Sequence, residues 1–326
     1  YLGQLLGDLL VEIGDLPGAI AALLREGEVL AVSQKGQLEN PDARIALEVI
    51  ARTELLSKYA NGWQGIASSD FQRFGRAFWE VPWPKEGWVF LQSTVDKTEL
   101  SGGRQHILFW EDGFGAMTAV CQEGATFRGK SAWGRRGVAC SQMRTLPVTL
   151  YEGTKFDNNT SVLTPYSEDH LAALWCFCSS SGFKEAVRSI DQALKVTNAT
   201  LVKVPFDLDH WRQIAAERYP NGLPKPYSDD STQWIFHGHP QPATSPLQVA
   251  VARLVGYTWP AESDEKMELS DEARQWITRS KALASHADKD GIVCIPPVGR
   301  EASASDRLLN LLADAYGADW SNDVLA

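Results

Sequence analysis

Five cations are concentrated in the middle of an otherwise acidic chain. The stretch between Gly124 and Leu150 contains no Asp or Glu, whereas the whole sequence of 326 residues carries a formal net charge of -10. A positive surface on an acidic protein indicates an anionic partner. Glycines between the cations would let backbone amides approach phosphate groups closely. The cations are Arg128, Lys130, Arg135, Arg136 and Arg144.

Polar side chains near these cations indicate that bases are contacted as well as phosphates. Gln142, Asn158 and Asn159 follow or flank them, and Trp133 lies among them. Arg, Gln and Asn are the side chains that form paired hydrogen bonds with base edges. The alternative is that the cations protect a sheet edge, where charge commonly prevents unwanted strand pairing. The amide side chains of Gln142, Asn158 and Asn159 favour contact with a nucleic acid over protection of a sheet edge.

A second polar cluster occurs near residue 200. It consists of Lys195, Thr197, Asn198, Thr200 and Lys203, side chains that commonly contact phosphates. Thr197 and Asn198 could instead cap a turn through their own side chains. The sequence therefore predicts Lys195 and Asn198 as further contacts, with turn capping as the alternative.

The common signatures of catalysis are missing from the sequence. It has no G-x-x-x-x-G-K-[ST] phosphate loop, no H-E-x-x-H and no G-x-S-x-G. Cys176, Cys178, His237 and His239 could supply four zinc ligands, but their one-residue spacings depart from those of known zinc sites. The two cysteines also lie in an apolar helical run, where buried thiols are common. We therefore predict no catalytic residue and no metal site.

The elements that must position these residues predict an α+β fold. Helical spacing of apolar residues predicts a helical N-terminal segment, residues 1–79, and strand composition predicts a β-rich mixed domain at 80–205. Prolines and further helical spacing predict a helical and irregular C-terminal part at 206–326. Expected strands are 89–91, 107–110, 138–140, 146–151, 161–163 and 201–205, with a hairpin at 111–120. Expected helices are 170–177, 183–194, 247–255 and 306–316, and 262–272 is expected to be an acidic linker.

Composition also bears on the cellular compartment. No apolar run reaches the length of a membrane span, and the first 24 residues are interrupted by acidic residues and Pro17. The five cysteines are odd in number and sparse, which favours free thiols in a reducing compartment. We therefore expect a cytoplasmic protein. The chain begins at Tyr1 within a helical pattern, which suggests a piece of a longer protein.

Several segments spread over about residues 40 to 320 carry a resemblance to a known family. They are QSTVD at 92–96, GGRQHILFWE at 102–111, AWGRRGV at 132–138, SQMR at 141–144, FDNNT at 156–160, VTNAT at 196–200, WIFHGHP at 234–240 and the segment 247–259. These segments resemble the region that follows the catalytic domain in large bacterial N6-adenine DNA methyltransferases. The similar enzymes are the Eco57I-like restriction–modification methylases and the related BREX- and DISARM-type phage-defence enzymes.

The resemblance implies a recognition part without its chemistry. The family transfers methyl groups with an Asn/Asp-Pro-Pro-aromatic motif and binds S-adenosylmethionine through a glycine-rich motif, and neither is present here. Ile295-Pro296-Pro297-Val298 has only the two prolines. The resemblance thus implies the target-recognition and C-terminal region, with no catalytic residue and no cofactor of its own. S-adenosylmethionine is expected in the upstream methyltransferase domain.

The resemblance also implies double-stranded DNA as the anionic partner. The other expected partners are the protein's own methyltransferase domain and possible further defence-system subunits, and no membrane is expected. The alternative function is a protein-interaction or scaffold module of a defence complex, and a zinc-stabilised enzyme domain is a third. Phosphate contacts are expected from Arg104, Arg128, Lys130, Arg135 and Lys195, base contacts from Arg136, Gln142, Arg144, Asn158 or Asn159, and further contacts from Trp133 and Asn198.

Overall fold

The computed structural model describes residues 35, 54–81, 86–120, 127–226, 238–241 and 243–325. The chain divides into two compact units, Tyr1–Glu54 and Leu55–Ala326, and every element below belongs to the second unit. The helices expected before residue 54 lie outside the described residues. So does His237, one of the four candidate zinc ligands.

Two four-stranded sheets are found in the described part of the second unit. Their strands are β1 (Ala60–Gln64), β2 (Gly75–Ala77), β3 (Trp88–Gln92), β4 (His106–Phe109), β5 (Arg136–Ser141), β6 (Val148–Glu152), β7 (Lys155–Phe156) and β8 (Thr160–Pro165). The first sheet has the order β1-β8-β5-β6 and is antiparallel throughout. The second has the order β2-β4-β3-β7, in which only β7 runs parallel to its neighbour.

Strand β5 lies in the middle of the first sheet and is buried on both faces. Val138 and Cys140 point to one side and belong to a core shared with the helices that follow. Ala139 points to the other side and packs near Tyr151 and Phe156. Since side chains alternate along a strand, the run Val-Ala-Cys supplies an apolar residue to each layer in turn.

Helices surround the two sheets. They are α1 (Phe71–Phe74), α2 (Ala116–Val120), α3 (Leu171–Cys178), α4 (Ser181–Ile190), α5 (Asn198–Leu201), α6 (Leu208–Arg218), α7 (Pro246–Leu254), α8 (Pro260–Ser263), α9 (Asp271–Ala282), α10 (Ala304–Tyr316) and α11 (Asn322–Leu325). All eight residues of α3 are apolar and seven of them are buried, most of them in the core that contains strand residues of the first sheet and residues of the neighbouring helices. Cys176 and Cys178 are part of this buried surface.

The second sheet joins the C-terminal helices to the rest of the unit. Phe90 and Ile107 pack on one face with Phe78, Trp259 and Ile277. The other face of the sheet carries Leu91 and Leu108, which belong to a separate cluster. Both faces of β3 and β4 are therefore covered, as in the first sheet.

The α+β class is confirmed, and most expected strands are present. Residues 60–64 and 75–77 were expected within the helical N-terminal segment 1–79, and they form strands β1 and β2 instead. The hairpin expected at 111–120 is wrong. Asp112 has a positive φ of 53°, and Ala116 donates its backbone N–H to the Glu111 carboxylate at 2.8 Å. This side-chain contact begins α2 where a second hairpin strand was expected.

Two further expectations near the C-terminal half are wrong in part. Residues 201–205, all of them described, form no strand of either sheet, although Leu56 donates its backbone N–H to the carbonyl of Val204 at 2.9 Å. The expected acidic linker at 262–272 contains part of α8 and the start of α9. Its first residue, Glu262, is buried against Arg253.

The expected limits at 79/80 and 205/206 do not coincide with breaks in the packing. Strand β1 pairs with β8, and Phe78 packs with Phe90 across the first limit. Phe206 and Ala215 belong to the same core as Val138 across the second. Among the described residues, no helix combines the length and apolar character needed to cross a membrane.

Candidate nucleic-acid interface

Three segments that are remote in sequence meet at one end of the first sheet. Gln142, just after β5, receives a backbone hydrogen bond from Val196 at 2.9 Å and donates one to Asn159 at 3.2 Å. Lys195 donates its ammonium group to the side-chain oxygen of Asn159 at 3.1 Å and to the carbonyl of Asn158 at 3.4 Å. We call Arg144, Asn158, Asn159 and Lys195 the Asn159 cluster. All four were expected to contact DNA, and the structure brings them together.

The turn that carries Arg144 presents its side chain to solvent. Arg144 has a φ of 58°, in the left-handed region, and Leu146 donates its N–H to the carbonyl of Met143. Arg188 donates from its guanidinium to the carbonyl of Arg144 at 2.9 Å. The backbone is therefore fixed from below by α4, while the guanidinium of Arg144 remains exposed.

Asp157 builds the turn that carries Asn158 and Asn159. Its Oδ1 accepts the N–H groups of Asn159 at 2.9 Å and Thr160 at 3.0 Å, together with the Thr160 hydroxyl at 3.0 Å. Its Oδ2 accepts the hydroxyl of Ser93 at 2.5 Å. A carboxylate that accepts backbone N–H groups two and three residues ahead imposes a turn on the chain. Asp157 thereby sets the direction of the two asparagines.

Two cavities lie beside the Asn159 cluster and share Asn159 in their walls. Each has a volume of about 250 Å³. The first cavity is lined by Phe71, Ser93, His106 and Asp157, with Leu91 and Leu108 among its apolar walls. The second cavity is lined by Thr94, Asp96, Ser141, Arg144 and Pro147. Recesses next to exposed polar turns are typical of a binding surface.

His106 is the titratable ring of the first cavity. Burial lowers its pKa below the ordinary value, and the negative charges of Asp157 and Glu80 oppose that shift. The ring stands edge-on to Phe71, with 5.2 Å between their centroids. A neutral imidazole has one hydrogen-bond donor and one acceptor.

Arg128 and Lys130 extend the cationic surface along the same end of the sheet. Arg128 donates to the side chain of Gln64 at 2.6 Å, and Gln64 pairs with Ser161 near the start of β8. Both cations are exposed. Gly129 between them has a φ of 76°, and a Cβ there would meet the Phe156 ring and the carbonyl of Gln64. The close approach of this loop to β1 therefore requires glycine.

Trp133 is engaged inside the protein. The ammonium group of Lys155 lies 4.1 Å from the centre of the Trp133 ring and 5.5 Å from that of Trp110. Burial lowers the pKa of Lys155. Because Lys155 already occupies this aromatic face, Trp133 is poorly placed to stack on a base.

Arg104 and Gln142 are buried, which corrects their expected roles. Arg104 forms an ion pair with Glu152 at 2.9 Å, and burial raises the pKa of Glu152 despite the opposing charge of Arg104. Gln142 donates its side-chain amide to Ser161 at 2.7 Å and so joins β5 to β8. Neither side chain reaches the surface on which DNA would lie.

Arg135, Arg136 and Asn198 are placed away from the cluster or are used internally. Arg135 donates to the carbonyl of Pro165 at 2.6 Å, at the far end of β8. Arg136 begins β5, so it stands roughly 17 Å from the end of that strand at about 3.3 Å per residue. Asn198 donates to the carbonyl of Gly62 at 2.7 Å, while Thr197 caps α5. For Thr197 the alternative of turn capping is confirmed, whereas the Asn198 side chain bonds a carbonyl of the remote strand β1.

Sequence reasoning missed Phe71, Ser93, His106 and Asp157. The run Phe-Asp-Asn-Asn-Thr at 156–160 contains a signal for one of them, since an Asp before two Asn commonly forms a side-chain turn. Nothing in the sequence pattern singles out Phe71 or His106. They become neighbours only when α1 packs beside β4.

The arrangement can bind an anion and form hydrogen bonds in several directions, but it lacks a formed nucleophile–base pair. The Ser93 hydroxyl donates to Asp157, and no hydrogen bond joins it to His106 among the described residues. In the same part of the chain, no group of three or more His, Cys, Asp or Glu side chains is placed to hold a metal ion. Comparison of the sequence with protein-family models and with curated proteins gives no match.

Proposed function

We propose that this chain is the target-recognition and C-terminal part of an S-adenosylmethionine-dependent N6-adenine DNA methyltransferase of a restriction–modification or phage-defence system. Its role is to hold double-stranded DNA and read the target sequence in the cytoplasm. Methyl transfer and cofactor binding belong to another domain of the same protein. The observation that carries the proposal is the convergence of Arg144, Lys195, Asn158 and Asn159 at one end of the first sheet.

The chemistry of the Asn159 cluster favours DNA over other anions. A site for a single phosphate needs cations and backbone amides alone, whereas this surface also presents two asparagine side chains. Asparagine pairs with adenine and arginine with guanine through two hydrogen bonds each. The side chains stand on turns held by a buried sheet, the usual arrangement for recognition residues.

The structure suggests a division of roles within this surface. Lys195, Arg128 and Lys130 are exposed cations around the asparagines, suited to phosphates on either side of the site. Arg144, Asn158 and Asn159 stand on the two turns and are suited to base edges. Arg104 and Gln142 support the sheet from within.

The test is salt-dependent binding to duplex DNA, followed by fluorescence anisotropy of a labelled duplex. Because each phosphate contact releases counterions, affinity should fall steeply between about 50 and about 200 mM salt. The first measurement uses a pool of duplexes of random sequence, because non-specific binding depends on the same cations. Absence of any affinity that weakens with salt would refute the proposal.

The second candidate function is docking of a protein partner, and one observation favours it. Leu247, Val251 and Val255 are spaced four residues apart on or just after α7 and are 58%, 46% and 40% exposed. An apolar stripe at this spacing is typical of a helix that meets another protein. Leu247→Asp with Val251→Asp should abolish association with other subunits while leaving DNA binding intact. Loss of DNA binding in that variant would contradict the separation of the two surfaces.

A further inference from the structure

The first cavity combines apolar and polar lining residues. Leu91 and Leu108 form apolar walls and are themselves almost completely buried. Ser68, Ser93 and Asp157 supply oxygen atoms. A nucleobase has two apolar faces and a polar edge, so this distribution suits it better than it suits a phosphate or a sugar.

Phe71 stands at the edge of this cavity as a supported aromatic ring. A Cβ on Gly75 would come within 2.3 Å of the Phe71 ring, so the absence of a side chain at Gly75 makes room for it. His106 contacts it edge-on. The ring is nevertheless 41% exposed. A held ring with a free surface is the usual platform for an unstacked base.

Two polar groups in the cavity have unused hydrogen-bonding capacity. No hydrogen bond of the His106 ring is found within the described residues, and burial keeps the ring neutral, with one donor and one acceptor. In the described part of the chain, Asp157 Oδ2 accepts only the Ser93 hydroxyl, whereas a carboxylate oxygen can accept about two hydrogen bonds. An exocyclic amino group is the complement of that remaining acceptor.

We infer that the first cavity receives one amino-bearing nucleobase turned out of the DNA stack, with Phe71 stacking on it and His106 and Asp157 bonding its edge. The inference rests on the proposed function, because the Asn159 cluster brings the duplex to the mouth of the cavity. A base within a paired stack presents only its edge in a groove, so a recess floored by the sheet admits a base only after it leaves the stack. This base is distinct from the adenine that the transferase domain modifies.

The test compares two duplexes that differ only by one unpaired adenine. Turning out an unpaired base costs less than breaking a pair, so a protein that holds such a base binds the bulged duplex more tightly. We expect a preference of about tenfold, measured by anisotropy at one salt concentration. Equal affinity for the two duplexes would overturn the inference while leaving the proposed function in place. No affinity for either duplex would overturn both.

Variants identify the cavity as the source of the preference. Phe71→Ala removes the stacking ring, and Ser68→Trp fills the cavity without altering a buried core residue. Each should lower the ratio of the affinities for the bulged and the paired duplex to about one. Tyr166→Ala is the matched aromatic control, because Tyr166 is exposed and follows β8 at its far end. Circular dichroism shows whether the two cavity variants are folded. If both are folded and both still bind the bulged duplex more tightly than the paired one, the inference is overturned.

A free nucleotide is the other possible source of a nucleobase. The four nucleoside monophosphates are therefore titrated separately, with the His106 ring signal in the NMR spectrum as the readout. A DNA-base cavity should show no saturation up to millimolar nucleotide, because a free nucleotide makes none of the contacts of the flanking duplex. Saturable binding of a nucleotide without any preference for the bulged duplex would assign the cavity to free nucleotides and overturn the inference.

Discussion

Lys195 donates its ammonium group to the side-chain oxygen of Asn159 across 36 positions of sequence, at 3.1 Å. The contact fixes the Asn159 amide with its oxygen turned towards Lys195. An isolated β-bridge between Met143 and Lys195 also joins the segment that carries Lys195 to the turn that carries Arg144. The residues of the Asn159 cluster are therefore coupled to one another within the protein itself.

Arg144→Ala combined with Lys195→Ala should weaken DNA binding and flatten its salt dependence. The slope of log affinity against log salt changes by about 0.9 for each phosphate that the protein no longer neutralises, so the slope of the double variant should be shallower by up to about two units. Arg279→Ala with Lys281→Ala removes two exposed cations from α9 and is the matched control. An equal effect in both variants would show that net charge governs binding and that no defined surface does.

Arg104→Met should destabilise the protein by about 3–5 kcal/mol near neutral pH, because it leaves the buried Glu152 carboxylate without its partner. Burial already raises the pKa of Glu152, and removing Arg104 raises it further. In the folded variant Glu152 therefore binds a proton more tightly than it does in the unfolded chain. The free energy of unfolding of the variant falls as the pH rises from the unfolded pKa of Glu152 through its higher folded pKa. Relative to the parent protein, the variant should therefore lose less free energy of unfolding in urea near about pH 5 than near about pH 7.5.

The control for that variant is Arg104→Met with Glu152→Gln. Removing both charges abolishes the unpaired carboxylate, so the double variant should recover part of the stability and should no longer depend on pH in this way. A double variant less stable than Arg104→Met at neutral pH would contradict this account of the pair.

Asp157→Ala should loosen the turn that carries Asn158 and Asn159. The substitution removes the acceptor of the Ser93 hydroxyl and of two backbone N–H groups, with an expected loss of about 2–4 kcal/mol. Asp157→Asn keeps an oxygen for the backbone N–H groups and should be less destabilising. Hydrogen exchange of the Asn159 and Thr160 amides reports the turn directly, and unchanged protection in Asp157→Ala would contradict the assignment.

His106 should make the protein less stable as the solution becomes acidic. Because burial lowers its folded pKa below 6.5, the unfolded chain takes up the proton first as pH falls. The stabilising contribution is complete above about pH 6.5 and disappears as pH falls through the folded pKa. His106→Gln should therefore show a shallower fall in unfolding free energy between about pH 7.5 and about pH 5. If the unfolding free energies of His106→Gln and of the parent protein depend on pH in the same way, a buried, neutral His106 is excluded.

The thiols should separate into reactive and protected groups. Burial raises the pKa of Cys140 to about 12 and that of Cys178 well above its ordinary value, so neither forms a thiolate near neutral pH. Cys294 is only partly covered, so reagent can reach its sulfur, although desolvation and the nearby Glu301 carboxylate raise the pKa of this thiol as well. Iodoacetamide followed by peptide mapping should modify Cys294 in the native protein and reach Cys140 and Cys178 only after denaturation. Early modification of Cys140 would indicate that the core around β5 opens readily.

Much of the strand pattern was readable from sequence because several strands are short apolar runs between turn residues, whereas β1 and β2, with Asn, Gln and Arg among their residues, were not recognised. Val138 to Cys140 and Ser161 to Leu163 are examples, and both are paired strands in the structure. The α+β class followed from the same signal. The hairpin at 111–120 failed because the carboxylate of Glu111 caps a helix, a contact that strand composition does not encode.

The sequence singled out candidate residue types for the site but not their geometry. Arg104 and Arg144 are alike in sequence, yet one neutralises a buried carboxylate and the other is exposed. The difference depends on Glu152, which is 48 positions away. In the same way, Glu262 was expected in an acidic linker and is instead bonded to Arg253 at 2.8 Å. Such pairings arise from tertiary packing between remote segments, which local residue patterns do not reveal.

The double burial of β5 has an evolutionary consequence. Because the strand is locked between two cores, the exposed positions 143, 145 and 159 near its end can be exchanged while the scaffold keeps its shape. A library randomised at these three positions should therefore yield mostly folded members. If this surface reads DNA as proposed, its specificity can diversify by point substitution, without the compensating core changes that a less protected strand would demand.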